Sequence, residues 1–153
     1  MSDSDAEYAK FMRLAIDEGR RGGEAGNLAV GSVIVRDGTV IGRGYNTAVS
    51  EGDPTNHAEI VAIRHACGTL ASAQLTGATL YTAMEPCPMC AWAICMVGIK
   101  RLVLGARHAT FHRPEMGAYA IERLVEMTGA KLEVVSGVLE AECEALRPEL
   151  TRR

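Results

Sequence analysis

The chain has 153 residues, 48% apolar and 23% charged, which suits one compact domain burying roughly two thirds of its extended surface and leaves no room for a second. Sixteen Lys and Arg against nineteen Asp and Glu give a formal charge of −3, and this balance weakens the case for a large RNA partner, whose affinity grows with each phosphate neutralised. No apolar run approaches the ~20 residues that span a bilayer, and Met1-Ser2-Asp3-Ser4-Asp5 lacks the basic and apolar regions of a secretory signal, so the expectation is a cytoplasmic protein without membrane contact.

From Ala6 to about Arg20, Tyr8, Phe11, Met12, Ala15 and Ile16 recur at helical spacing and predict an amphipathic helix that Gly22-Gly23 ends. Leu28 to Val35 is rich in β-branched residues, Asp37-Gly38 signals a turn, and Val40 to Tyr45 completes a predicted antiparallel hairpin. Its Gly31, Gly42 and Gly44 mark close packing or bulges. A polar loop, Asn46 to Asn56, leads to a helix from His57 to about Leu70 with Ile60, Val61, Ile63, Ala66 and Cys67 on one stripe. Asp53, Thr55 or Asn56 is the expected cap, and Pro54 suits the entry turn.

The remaining predicted elements are a strand at Ala78 to Ala83, a helix at Cys87 to Met96 and a strand at Arg101 to Gly105. Next come a helix at Glu115 to Thr128 with Met116, Tyr119, Ala120, Leu124 and Met127 inward, a strand at Lys131 to Val135, and a closing helix at Val138 to Leu146. The helix between the last two strands permits a crossover that makes them parallel. A five-stranded mixed sheet with helices on its faces follows.

His57-Ala58-Glu59 and Pro86-Cys87-Pro88-Met89-Cys90 each open a predicted helix. A Cys-x-x-Cys pair in a reducing compartment is a redox dithiol or a metal clip, and His57 turns the reading towards metal. Cys87 and Cys90, three apart, share a helix face where the positive end of the dipole favours thiolates. His57, Cys87 and Cys90 then supply three zinc ligands, the fourth position stays open for water, and Glu59 is left to move protons. His57 and Glu59 lie about 200° apart on an ideal helix, so both reach one site only at its first turn. Cys67, Cys95 and Cys143 read as small core residues. The competing reading is a closed zinc clip with His65, His108 or His112 as fourth ligand, serving a zinc-stabilised binding module. The open site, by contrast, suits hydrolysis at a carbon bearing an exocyclic amine, with Glu59 serving both proton transfers.

These two motifs resemble the signature of the cytidine deaminase-like superfamily, and the resemblance runs from Val30-Gly31 through Gly44-Tyr45-Asn46 to Glu140. It implies a three-layer α/β/α cytidine deaminase-like fold around a five-stranded mixed sheet, with residues 1–153 forming a single zinc-dependent deaminase domain. It further implies one Zn(2+) per subunit on His57, Cys87 and Cys90, Glu59 as proton shuttle, and Asn46 on the substrate ring or its sugar. The Ala58 N–H would position the pyrimidine carbonyl or its purine equivalent. A homodimer is implied too, through exposed apolar side chains on the helices starting at Cys87 and Glu115. Three residues stay open between two roles: Glu85 orients the zinc loop or touches substrate, Phe111 stacks on substrate or packs in the core, and Trp92 lines the pocket or meets another subunit.

Pro-Cys-Pro-Met-Cys resembles guanine deaminases, fungal-type cytosine deaminases and tRNA adenosine deaminases alike. The segment Ala93 to Arg101 is similar to the cytosine enzymes. Asp53-Pro54-Thr55-Asn56 resembles the tRNA and guanine enzymes, and Gly105-Ala106-Arg107 the tRNA enzymes. Two departures count against tRNA: His108-Ala109-Thr110-Phe111-His112-Arg113-Pro114 replaces an Asp-Ala-Lys-x-Gly-like loop, and the basic C-terminal helix shrinks to Arg152-Arg153. Arg101, Arg107, His108, His112, Arg113 and Arg152-Arg153 form a local basic patch or are scattered surface charge. Arg147-Pro148-Glu149-Leu150 provides no aromatic, acidic lid like that of the fungal enzymes, so a partner subunit or the loop from Arg107 to Met116 is the expected cover. The expected function is hydrolytic deamination of a free nucleobase or related small aminated heterocycle, cytosine slightly ahead of guanine. Adenosine deamination in tRNA, or of another nucleoside or nucleotide, is the alternative.

Overall fold

The hairpin forms as the turn signal requires: β1 (Gly31–Arg36) pairs antiparallel with β2 (Thr39–Tyr45) through Asp37-Gly38, both at positive φ. Residues 1–148 of the computed structural model are described; Glu149, Leu150 and Arg152-Arg153 lie outside the described residues. β1 also pairs antiparallel with β3 (Thr79–Met84), which runs parallel to β4 (Arg101–Ala106), itself parallel to β5 (Glu133–Val135). The order β2-β1-β3-β4-β5 is the expected five-stranded mixed sheet.

Helices cover both faces. α1 (Asp3–Glu24) and the short α6 (Glu140–Ala145) lie on one side, and α3 (Ala58–Leu70), α4 (Pro88–Met96) and α5 (Ile121–Thr128) on the other. The alternation of strand side chains explains the two cores. Ile34, Leu80, Leu102 and Leu104 pack under α3, α4 and α5, while Val33, Val35, Tyr81 and Val103 pack under α1. α3 seats unusually close because Gly42 and Gly44 present no Cβ: one added there would lie 2.6 Å from Ala62 O and 2.7 Å from Val61 Cγ1. Close packing, not a ligand contact, is what those glycines provide. Among the described residues no helix is long and apolar enough to cross a membrane.

Several boundaries differ from expectation. Gly22-Gly23 does not end α1, which runs on to Glu24 with the Tyr45 ring against Gly22. β1 begins only at Gly31, and a short helix, α2 (Ala48–Glu51), interrupts the expected loop. None of Asp53, Thr55 and Asn56 caps α3, because Asp53 closes its own turn with Thr55 and Asn56 bonds Glu51 and Arg64. The largest change is at the expected helix from Glu115. Two 3₁₀ turns (His108–Phe111 and Pro114–Met116) occupy the segment first, and Gly117 at φ 55°, ψ −130° takes a conformation open only to glycine. α5 therefore starts late, and Met127 is 80% exposed rather than inward.

Candidate active site

β2, β3 and β4 point the same way, so their carboxyl ends deliver Asn46, Glu85 and Arg107-His108 to one edge of the sheet. Ligands of open α/β sheets bind at that end. α3 and α4 both begin there, with His57 and Cys87 as their N-cap residues. Both have extended backbones and neither makes a side-chain cap bond, so the imidazole and the thiol turn towards each other instead of towards their own helices. This resolves the angular conflict between His57 and Glu59, since His57 precedes the helix and Glu59 lies in its first turn.

His57 Nδ1 stands 3.4 Å from both Cys87 Sγ and Cys90 Sγ. Tetrahedral zinc with bonds of ~2.3 Å to sulfur and ~2.0 Å to nitrogen places such atoms about 3.5 Å apart, so the donor set fits the ion. His57, Cys87 and Cys90 are the one group of this kind among the described residues. His65 is engaged with the Arg43 N–H at 3.1 Å, and neither His108 nor His112 joins the three, so the closed clip lacks its fourth ligand there. The protonic balance of the trio is uneven. The hydrogen bond from Cys90 holds the Cys87 thiol down to about 4 against the opposing effect of burial, and the same bond, with burial, pushes Cys90 up. His57 is raised by its bond to Cys87. A dication would take both sulfurs as thiolates, releasing protons as it binds.

Glu59 is only 4% exposed, and Thr82 Oγ1 donates to its Oε1 at 2.8 Å. Burial pushes the carboxyl up, partly opposed by the Thr82 bond. Asn46 is equally buried, and its Oδ1 accepts from the Ala48 N–H at 3.0 Å. That bond orients the amide and leaves Nδ2 as the group available to a ligand. The Ala58 N–H, at the first helical position, has no partner within its own helix. Asn46, His57, Ala58, Glu59, Glu85 and Cys87 all line one cavity of about 190 Å³, whose apolar walls are Leu28, Val30, Met84 and Met116.

Glu85 does its orienting work with both oxygens: Oε1 accepts from the His108 N–H at 3.1 Å, and Oε2 from the Ile121 N–H at 2.8 Å. Arg107 pairs with the same carboxylate at 3.2 Å. One buried side chain thus ties the β3 end to the loop after β4 and to the start of α5. Phe111, 1% exposed, lies in the core with Phe11, Ala106 and Cys143 and does not line the cavity. Trp92 is 47% exposed on α4, also away from it. Conversely, His108, Arg113 and Arg147 line the cavity. The sequence marked the first two only as patch charge or spare ligand, because their direction depends on the 3₁₀ turns that replace the expected helix.

Residues 5–106 match the family model described as the cytidine and deoxycytidylate deaminase zinc-binding region. The chain is 38% identical over 136 residues to the tRNA-specific adenosine deaminase of Bacillus subtilis, covering 87% of this chain and 81% of that protein. A solved structure from studies of A-to-I editing by tRNA:A34 deaminases at the wobble position of transfer RNA is 39% identical. It covers 90% of this chain and 98% of its own, with a TM-score of 0.79. Guanine deaminase from Bacillus subtilis is also similar, at 34% identity over 82% of this chain and 76% of its own, with a TM-score of 0.65.

Proposed function

The chain belongs to the cytidine and deoxycytidylate deaminase zinc-binding family, a zinc-dependent hydrolase family, and from that footing we propose that it deaminates adenosine to inosine in a tRNA anticodon. The observation that carries this reading is similarity to tRNA adenosine deaminases extending over most of both chains, 87% and 81% in the Bacillus subtilis comparison. It reverses the order expected from the motifs, which put a free nucleobase first. That order rested on the sequence of the loop after Arg107 and on the few basic residues near Arg152-Arg153, and each is a local feature. Arg152-Arg153 lie outside the described residues.

His57 Nδ1, Cys87 Sγ and Cys90 Sγ would hold the zinc, which when bound would supply a Lewis acid that makes water easier to deprotonate. Glu59, held by Thr82 Oγ1, takes a proton from the attacking water and delivers it to the ring nitrogen next to the amine-bearing carbon. It then takes the second proton from the hydroxyl now on that carbon and gives it to the departing amine, so that a carbon–oxygen bond replaces a carbon–nitrogen bond and ammonia leaves. Asn46 Nδ2 bonds the purine or its sugar, and the Ala58 N–H positions the ring from the mouth of α3. Glu85 acts through the backbone, holding the His108 and Ile121 ends of the wall.

An anticodon stem-loop with adenosine at the wobble position should yield inosine, read by mass spectrometry of its nucleosides. Cytosine, guanine and adenine should release no ammonia above the Glu59→Gln background. Ammonia from guanine or cytosine, with the RNA unchanged, would return the assignment to the free bases.

The subunit arrangement is proposed on separate grounds. α4 exposes Met89 (38%), Trp92 (47%) and Met96 (60%), spaced to share one side of the helix. Such a face marks an association surface, and we assign it to a homodimer contact. Trp92→Glu combined with Met96→Glu should halve the mass measured by light scattering; a wild type already monomeric at micromolar concentration would refute this assignment.

A further inference from the structure

The short helix α2 begins just after Asn46 and holds its place without packing. It has four residues, none of them buried, and its Val49 is 70% exposed. A helix this short does not persist on its own, so polar bonds must fix it. Its N-cap Thr47 makes no side-chain cap bond; the Thr47 hydroxyl donates instead to Glu51 Oε2 at 3.0 Å. The N–H groups that open α2 are met from outside by two asparagines. Asn46 Oδ1 accepts from Ala48 at 3.0 Å, and Asn27 Oδ1 accepts from both Val49 at 3.1 Å and Ser50 at 2.9 Å. Asn27 Nδ2 completes the grip by donating to the Ser50 hydroxyl at 3.0 Å.

Asn27 lies between α1 and β1, is 8% exposed and does not line the catalytic cavity. The bond from Ala48 to Asn46 Oδ1 is a local side-chain turn, one of several that an asparagine adopts. Because Asn27 takes the next two N–H groups, that turn cannot open without breaking the Asn27 bonds as well. The far end of α2 is tied towards the metal side. Glu51 Oε2 accepts from Asn56 Nδ2 at 2.6 Å, the Thr47 N–H donates to the Asn56 carbonyl at 3.0 Å, and Asn56 immediately precedes His57. α2 thus bridges the asparagine at the end of β2 and the first residue of the candidate zinc site, with Asn27 as its anchor. The direction of the Asn46 amide matters because its two ends are opposite in kind: with Oδ1 committed to Ala48 it offers a donor, and reversed it offers an acceptor.

Resting on the substrate contact assigned to Asn46 above, we propose that Asn27 is a positioning residue for the reaction. It grips the first turn of α2, fixes the Ala48 N–H, and so keeps Asn46 Nδ2 turned towards the substrate. It touches neither substrate nor metal and acts only through Asn46. The core should survive its loss, because α2 buries no side chain.

The test combines backbone hydrogen exchange with steady-state inosine formation on an anticodon stem-loop, using the zinc-loaded full chain. Asn27→Ala should speed exchange at Ala48 to Glu51 and lower kcat/KM about tenfold, the effect of one misplaced hydrogen bond, with zinc content unchanged. Asn27→Asp keeps an oxygen for the Val49 and Ser50 N–H groups and should recover most of the lost rate. A double-mutant cycle with Asn46→Ala separates positioning from a merely structural role: without the Asn46 amide, Asn27→Ala should cost less than about twofold. Full additivity in that cycle, an unchanged kcat/KM, or unaltered exchange in α2 would overturn the inference and leave the RNA reading in place. A wild type that edits no RNA would remove that reading and this inference with it.

Discussion

Glu59→Gln should keep its zinc and lose at least ~10³-fold in kcat, as expected when a single group serves as both base and acid. The amide is nearly isosteric with the carboxylate, and its oxygen can still accept from Thr82 Oγ1, the bond that now orients Glu59 at 2.8 Å. The substitution therefore leaves the wall of the cavity intact and removes only the capacity to take a proton. Two measurements decide the outcome: zinc content by elemental analysis, and turnover on the RNA. Activity within tenfold of wild type would mean that Glu59 is a buried structural carboxyl. Loss of zinc together with activity would mean that it supports the metal and would leave its protonic role unproven. The same variant separates a deaminase from a zinc-stabilised binding module, whose function would survive.

Zinc removal is expected to abolish turnover and to lower thermal stability together. His57 is the N-cap of α3 and Cys87 that of α4, so one ion ties together the starts of two helices that otherwise meet only through side-chain packing. A ligand that binds only the native state at about 1,000 times its Kd adds about 4 kcal/mol. At this chain length that corresponds to a Tm difference of about 10 °C between chelated and zinc-loaded protein. Re-addition of zinc should restore both Tm and activity, with release of protons, because the proton that Cys90 holds against Cys87 must leave. If activity survives exhaustive chelation, or if Tm does not respond, the three-ligand assignment is wrong.

The three residues that come together as the candidate zinc site, and the carboxylate proposed to move protons beside it, were legible in the sequence because metal chemistry restricts residue identity more tightly than packing does. Few side chains can replace a thiolate or an imidazole on zinc, and Pro88 together with the Cys-x-x-Cys spacing marks the start of a helix locally. The sheet was legible for a related reason. Strands buried on both faces are nearly continuous apolar runs, and turns such as Asp37-Gly38 are written in adjacent residues. Asn46 was legible only through resemblance, since an asparagine after a strand is more often a turn residue.

The loop after β4 was not legible. Met116, Tyr119 and Ala120 repeat at helical spacing, yet Pro114 and the glycine-only conformation of Gly117 divide the segment, and the buried Glu85 carboxylate, distant in sequence, fixes where α5 begins. The fate of Phe111 and Trp92 followed from the same limit, because which way a side chain faces depends on what packs across from it. The sequence by itself determined the reagents, the strands and the order of elements, all properties of residue type and short-range spacing. Only the tertiary structure decided that three parallel strand ends converge on one edge, that Glu85 binds the backbone of His108 and Ile121 from the end of β3, and that His108 lies between two cavities. These depend on contacts between residues far apart in the chain, which no local pattern encodes.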